Sequence, residues 1–180
     1  LQNNIPIFVS TDENIQAAET KFNLLRNKLT VSEGDIFEID DSGQIKYSVS
    51  NRDWGKENLE YDLTNEQVVE IAKRELSKLG LLPQDEYRIG ITTKERTFLD
   101  ITGRTICEPE TIEYSVFFYR TYNGVEIISD KEDGILISFD KNGLTELRYL
   151  WRDAIIVEKP ELAVSSIATS DYLTFEQAQK

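Results

Sequence analysis

Between Glu86 and Trp151 the chain is written almost wholly in short stretches of β-branched and aromatic residues divided by turn residues, and this limits the fold more than any other feature. The stretches are Glu86 to Thr92, Arg96 to Asp100, Thr111 to Tyr122, Val125 to Ser129, Ile135 to Asp140 and Leu144 to Trp151. They predict an antiparallel meander. Asn123-Gly124 stands between Phe117-Phe118-Tyr119-Arg120-Thr121-Tyr122 and Val125-Glu126-Ile127-Ile128. Asparagine and glycine accept positive φ, so this pair predicts a two-residue hairpin. Asp140-Lys141-Asn142-Gly143 predicts a second turn.

Two helices precede the strands. Thr64 in Leu63-Thr64-Asn65-Glu66-Gln67 is placed to cap a helix and Gln67 to close a capping box. Val68, Ile71, Ala72, Leu76 and Leu79 then recur at helical spacing, and Gly80 with Pro83 stops the pattern, which predicts a helix over 65–79. Upstream, Ser10-Thr11-Asp12-Glu13 opens another helix after the apolar patch Ile5 to Val9. Its face is Ile15, Ala18, Phe22, Leu25 and Leu29, and Gly34 is expected to end it. Asp35 to Ser50 alternates around Asp40-Asp41-Ser42-Gly43 and reads as a hairpin.

The chain echoes itself. With Gly43 set on Gly143, Phe37 falls on Ile137, Ile39 on Phe139, Asp40 on Asp140, and Arg52-Asp53 on Arg152-Asp153. Leu63-Thr64-Asn65-Glu66-Gln67 is repeated as Leu173-Thr174-Phe175-Glu176-Gln177, where a further helix is expected to begin. Either a helix-plus-sheet unit is used more than once, or common cap and hairpin chemistry recurs. The expected organisation is a helix-plus-hairpin unit over 1–62, a helix-plus-sheet unit over 63–157, and a linker with the start of another helix over 158–180.

Charge and residue types narrow the chemistry. The 33 acidic against 20 basic residues give a net charge of −13, which opposes binding to nucleic acid. The absence of histidine removes the usual catalytic dyads, histidine metal sites and the near-neutral proton shuttle. No apolar run is long enough to span a bilayer, so no membrane insertion is expected. Starting at Leu1 without any methionine, the chain is expected to be a mature or excised piece of a longer product. Cys107 is a single cysteine among acidic residues and is expected to be buried or inert. No glycine-rich loop cradles a phosphate, and no cofactor is expected.

The acidic groups Asp40-Asp41, Glu108 with Glu110, Asp130 with Glu132 and Asp133, and Asp153 are the candidates for a carboxylate-dependent hydrolase, which needs two of them to converge. Asp130-Lys131-Glu132-Asp133-Gly134 and Asp40-Asp41-Ser42-Gly43 are also calcium candidates. Neither fits the twelve-residue calcium loop, and a tight turn accounts for both.

The Leu-Thr-x-Glu-Gln helix opening, the strand with Phe118-Tyr119-Arg120, the Asn123-Gly124-Val125 turn and Ile135-Leu136-Ile137-Ser138-Phe139-Asp140-Lys141-Asn142-Gly143 together resemble the PepSY group. Related units occur in protease propeptides and in bacterial envelope regulators of the YycH and YycI type. The resemblance covers 63–157 and carries no catalytic residue across. It implies an α+β fold of helices packed on an antiparallel meander, an extracytoplasmic setting in a Gram-positive-like bacterium, and a binding or regulatory role, with the whole protein a cell-envelope protein or lipoprotein.

Alternation along the longest strand sends Phe117, Tyr119 and Thr121 to one face and Phe118, Arg120 and Tyr122 to the other. One face is expected to pack on the helix over 65–79. Either a second helix covers the other face as well, or Phe118, Arg120 and Tyr122, with Arg148, form an open aromatic and basic surface for a protein partner, and a sheet edge offers an alternative site for strand addition. The sequence therefore points to a non-catalytic binding module. A hydrolase and a spacer repeat of a larger surface protein are the alternatives.

Overall fold

In a computed structural model of the chain, the residues described are 5–7, 12–50, 52, 61–122, 124–126, 133–151 and 155–157. In chain order they form β1 (Ile5–Ile7), α1 (Asp12–Arg26), β2 (Ile36–Ile39), β3 (Ile45–Ser48), α2 (Asn65–Leu79), β4 (Tyr87–Arg96), β5 (Glu110–Tyr122), β6 (Val125–Glu126), β7 (Gly134–Asp140), β8 (Gly143–Leu150) and β9 (Ile155–Val157). The fold is α+β. The chain divides into one unit of Leu1–Val9 with Asp153–Lys180 and another of Ser10–Arg152. In the first, β1 and β9 pair antiparallel with Ile5 opposite Val157. In the second, six antiparallel strands run in the order β2-β3-β8-β7-β5-β4, and β6 pairs with β5 off that path.

Local chemistry explains α2 at both ends. Thr64 Oγ1 accepts the Gln67 amide at 3.3 Å while Gln67 Oε1 accepts the Thr64 amide at 2.9 Å, completing the expected capping box. Gly80 follows the helix at φ 78, a left-handed conformation suited to glycine. Its amide reaches Ser77 O at 3.0 Å and the Leu81 amide reaches Leu76 O at 2.8 Å, so the last carbonyls are satisfied and buried Leu81 folds back on the core. Lys28 Nζ adds bonds of 3.0 Å to the carbonyls of Lys78 and Leu79, a cation at the negative end of the helix dipole.

The first helix is shorter than its sequence pattern. It ends at Arg26, and the amides of Lys28 and Leu29 make one closing turn onto Leu25 O. Thr30 and Val31 are β-branched and favour extended backbone. Gly34, at φ 90, instead serves the later turn in which the Asp35 amide meets Ser32 O at 3.1 Å. Another expectation also shifts. Arg96 belongs to the end of β4, and Thr97 to Asp100 make no strand beyond the single bridge Leu99↔Thr105. The Asn123-Gly124 hairpin forms, with Tyr122 opposite Val125 and Gly124 at φ 76. The remainder of the strand expected to Ser129 lies outside the described residues, as does the helix expected from Thr174.

Strands β4, β5, β7 and β8 form the meander, and the hairpin of β2 and β3 extends it because Ile45 pairs with Tyr149 of β8. One hydrophobic cluster fills one face. Tyr114, Val116 and Phe118 of β5, Ile135, Ile137 and Phe139 of β7, Leu147 and Tyr149 of β8, and Ile45 and Tyr47 of β3 meet Leu25 of α1 and Val68, Ala72 and Leu76 of α2. Both helices therefore contribute to the same cluster. Burying a side chain such as Phe118 completely is worth about 2–3 kcal/mol, so this face supplies the main stabilisation of the unit.

Candidate functional site

The alternation along β5 holds, but its sidedness is the reverse of the expected open surface. Residues 112, 114, 116, 118 and 120 are buried, and Phe118 has no exposed area. Phe118 is a core residue touching Tyr87, with ring centroids 5.3 Å apart. Arg120 is 3% exposed and is a brace rather than a contact residue. Its Nη2 lies 2.6 Å from Asp85 Oδ2, its guanidinium lies 4.6 Å over the Trp151 ring, and Trp151 Nε1 donates to the same Asp85 oxygen at 3.2 Å. Partial burial would raise the Asp85 carboxyl, but the Arg120 and Trp151 bonds outweigh it and hold it below the usual range.

Tyr122 is half-buried, and Arg148 lies on the other face. Its Nε pairs with Glu146 Oε1 at 2.7 Å, and half of its side chain is exposed. Thus Phe118, Arg120, Tyr122 and Arg148 do not make one surface. The face away from the helices carries Phe117 and Tyr119 instead, stacked at 5.8 Å with Arg88 5.3 Å from the Tyr119 ring. The Tyr119 ring also lies against Gly90, where a Cβ would come within 3.0 Å of it, so this pair is half-buried against its own sheet.

Of the candidate acids, Asp40 is engaged in a turn and an ion pair and Glu110 in an ion pair. Asp40 Oδ1 accepts the Ser42 hydroxyl at 2.6 Å and the Ser42 and Gln44 amides at 2.9 and 3.1 Å, while Lys46 sits 3.2 Å from Oδ2. Desolvation works to raise this carboxyl, yet those bonds prevail and lower it to about 2. Asp140 Oδ1 accepts the Asn142 amide at 2.7 Å, and its Oδ2 pairs with Arg52 at 3.1 Å. Glu110 is 2.6 Å from Arg96. Asp133 is buried, whereas Asp41 and Glu108 are exposed. Asp130, Glu132 and Asp153 lie outside the described residues. Among the described residues no cluster of three or more acidic or cysteine side chains is spaced to hold a metal ion.

A different surface stands out between β4 and β5. Residues 97–109 are all exposed, and four of the seven exposed large hydrophobic residues among those described lie here: Phe98, Leu99, Ile101 and Ile106. Ile101 is fully exposed at the tip. The arm is nevertheless ordered by its own bonds. Asp100 Oδ1 accepts the Thr102 hydroxyl at 2.7 Å and the Thr102 and Arg104 amides at 2.8 and 2.9 Å. The Thr102 hydroxyl, with the Arg104 and Thr102 amides, lowers the Asp100 carboxyl below its usual range. The Asp100 amide donates to Arg104 O at 2.8 Å, the Ile106 amide to Phe98 O at 3.0 Å, and Gly103 takes φ 81. Cys107 lies in this arm and is exposed, so of the expected alternatives, buried or inert, the buried one does not hold.

Asp100-Ile101-Thr102-Gly103 has the same pattern as Asp40-Asp41-Ser42-Gly43 and Asp140-Lys141-Asn142-Gly143. That third copy was the available signal, hidden when Arg96 to Asp100 is read as a strand. A second feature is a cavity of about 590 Å³ beside β2, lined by Phe22, Arg26, Leu29, Val31, Asp35 and Phe37. The Phe22 and Phe37 rings stack there at 4.3 Å.

Among the described residues no helix is long and apolar enough to cross a membrane. Comparison with protein-family models, with curated proteins and with solved structures finds no match.

Proposed function

We propose that the chain is a non-catalytic, PepSY-like binding module of a bacterial cell-envelope protein, acting outside the cytoplasm, that holds a protein partner through the arm at 97–109. The observation that carries this reading is Ile101, fully exposed on a turn that its own carboxylate bonds keep ordered. Exposing Phe98, Leu99, Ile101 and Ile106 together offers no folding gain, and grouped apolar exposure of this kind marks interaction sites. An ordered turn lowers the entropy lost on binding. The acidic balance of the chain disfavours nucleic acid and anionic lipid as the partner. The setting and the PepSY likeness rest on the helix opening at Leu63-Thr64 and the strand and turn residues from Phe118 to Gly143.

The test is affinity capture from an envelope extract, comparing the unaltered chain with an Ile101→Asp, Ile106→Asp double variant and with an unrelated domain of equal acidity. A partner held by the unaltered chain and released by the variant, whose unfolding midpoint is unchanged, is the expected result. Equal capture by the variant would remove the arm from the proposal.

A further inference from the structure

The cavity beside α1 adjoins a sheet edge that is separate from the arm. Strand β2 ends the strand order and, among the described residues, pairs only with β3. The Asp40 amide donates to Gln44 O at 3.0 Å, which sets the parity of this antiparallel ladder. Residues 36 and 38 bond inward to β3, so the N–H and C=O groups of Phe37 and Ile39 point to the free edge. Among the described residues nothing bonds them there. Edges of this kind are usually guarded by charge. The opposite edge, β4, carries Arg88, Lys94, Glu95 and Arg96, whereas β2 carries one charged residue, Glu38, next to half-exposed Ile36 on the face away from the cavity.

Strand geometry places the side chain opposite Phe37 on the same face as Phe37 itself. That is the face on which the Phe22 ring of α1 stacks, and Leu29 and Val31 complete the apolar lining. An added strand that bonds Phe37 would therefore drop one side chain into the cavity. Charge fixes the rest. Asp35 is occupied, accepting the Ser32 amide at 2.8 Å and the Ser50 amide at 3.1 Å. Arg26, in the last turn of α1, lines the same cavity and has no hydrogen-bond or ion-pair partner among the described residues.

We infer that β2 and α1 form a docking groove for an extended peptide, which adds as a strand to β2, seats an apolar side chain against Phe22 and Phe37, and pairs a carboxylate with Arg26. Main-chain bonds give such a site its affinity, and the pocket and guanidinium give it selectivity. The site does not depend on the arm, so either proposal can fail without the other.

The experiment is selection of a phage-displayed library of random decapeptides on the full 180-residue chain, followed by titration of the synthesised consensus. Enrichment of alternating apolar residues with a nearby acidic residue is expected. Arg26→Glu should weaken that peptide about tenfold or more, and exchanging the peptide's acid for lysine should restore binding. N-methylation at alternate peptide amides should abolish binding, and amide shifts should concentrate at Phe37 and Ile39. Arg26 is exposed and stands in the last turn of α1, so the charge reversal should lower the unfolding midpoint only slightly, through the helix dipole. Three results would each overturn the inference. They are no enrichment, a consensus indifferent to Arg26→Glu or N-methylation, and shifts centred on β4. Self-association through β2 in place of peptide binding would also overturn it, making a second copy the occupant.

Discussion

Asp40 and Asp100 open turns of nearly identical chemistry, each carboxylate accepting a hydroxyl and two amides, yet the two turns serve opposite ends. At the first, Gly43 is buried, and a Cβ there would lie 3.2 Å from Ala18 Cβ of α1. At the second, Gly103 has nothing within 4 Å and Ile101 stands free. The same motif closes a packed hairpin in one place and holds up an exposed arm in the other. Turn chemistry sets the local bend. Whatever packs upon the bend decides whether it contributes to the core or is free to bind.

The largest contrast between packed sheet and arm should come from truncation. Phe118→Ala removes a ring with no exposed area and should cost about 3–5 kcal/mol in urea unfolding. A cost under about 1 kcal/mol would show that this core is not the stabilising one. The glycines give the next contrast. Both have φ 81, so alanine at either is strained by about 1–2 kcal/mol. Gly43→Ala also crowds Ala18 and should cost about 2–4 kcal/mol in all, whereas Gly103→Ala should loosen the arm with little effect on global unfolding. Equal losses at the two sites would dissolve the distinction.

Carboxylate removal should follow the same order at lower amplitude. Asp40→Ala should cost about 1–2 kcal/mol globally, while the loss from Asp100→Ala should appear as faster amide exchange at Thr102 and Arg104. Acid titration sharpens this. The Asp40 carboxyl stands at about 2 in the fold against an ordinary 3.8. Its folded value is the lower one, so its stabilisation is complete above about pH 4 and is lost as pH falls through about 2. With 36% of the side chain exposed, the contribution is screened to about 1 kcal/mol. Asp40→Asn should therefore flatten stability between about pH 4 and pH 2, and an unchanged acid limb would contradict the assignment. The smallest effect is expected at Ile101→Asp, within about 0.5 kcal/mol of the unaltered chain. A substantial destabilisation there would mean that the tip is packed.

The helix over 65–79 was legible to the residue because its signals are local: Thr64 and Gln67 close one end, Gly80 the other, and the apolar face lies between. The hairpin at 36–48 and the turn at Gly124 were legible for the same reason. The helix end at Arg26 was not, since Leu29 keeps the helical spacing and still reaches the core after the helix has stopped. The site was least legible. Alternation separates Phe117 from Phe118 but does not say which face the helices cover. Arg120, a charged residue, lies on the covered face because Asp85 and Trp151 meet it there.

The sequence alone determined most of the element types, the ends of the helix over 65–79, the turn chemistry and the parity of the longest strand, because these depend on neighbours within a few residues. Only the tertiary structure decided that β3 pairs with β8, that both helices share one face, and that the turn at Asp40 packs on α1 while the similar turn at Asp100 stands in solvent. Those choices depend on contacts between residues as far apart in sequence as Lys21 of α1 and Tyr149 of β8, joined at 3.0 Å, and on burial of apolar surface that outweighs local preference.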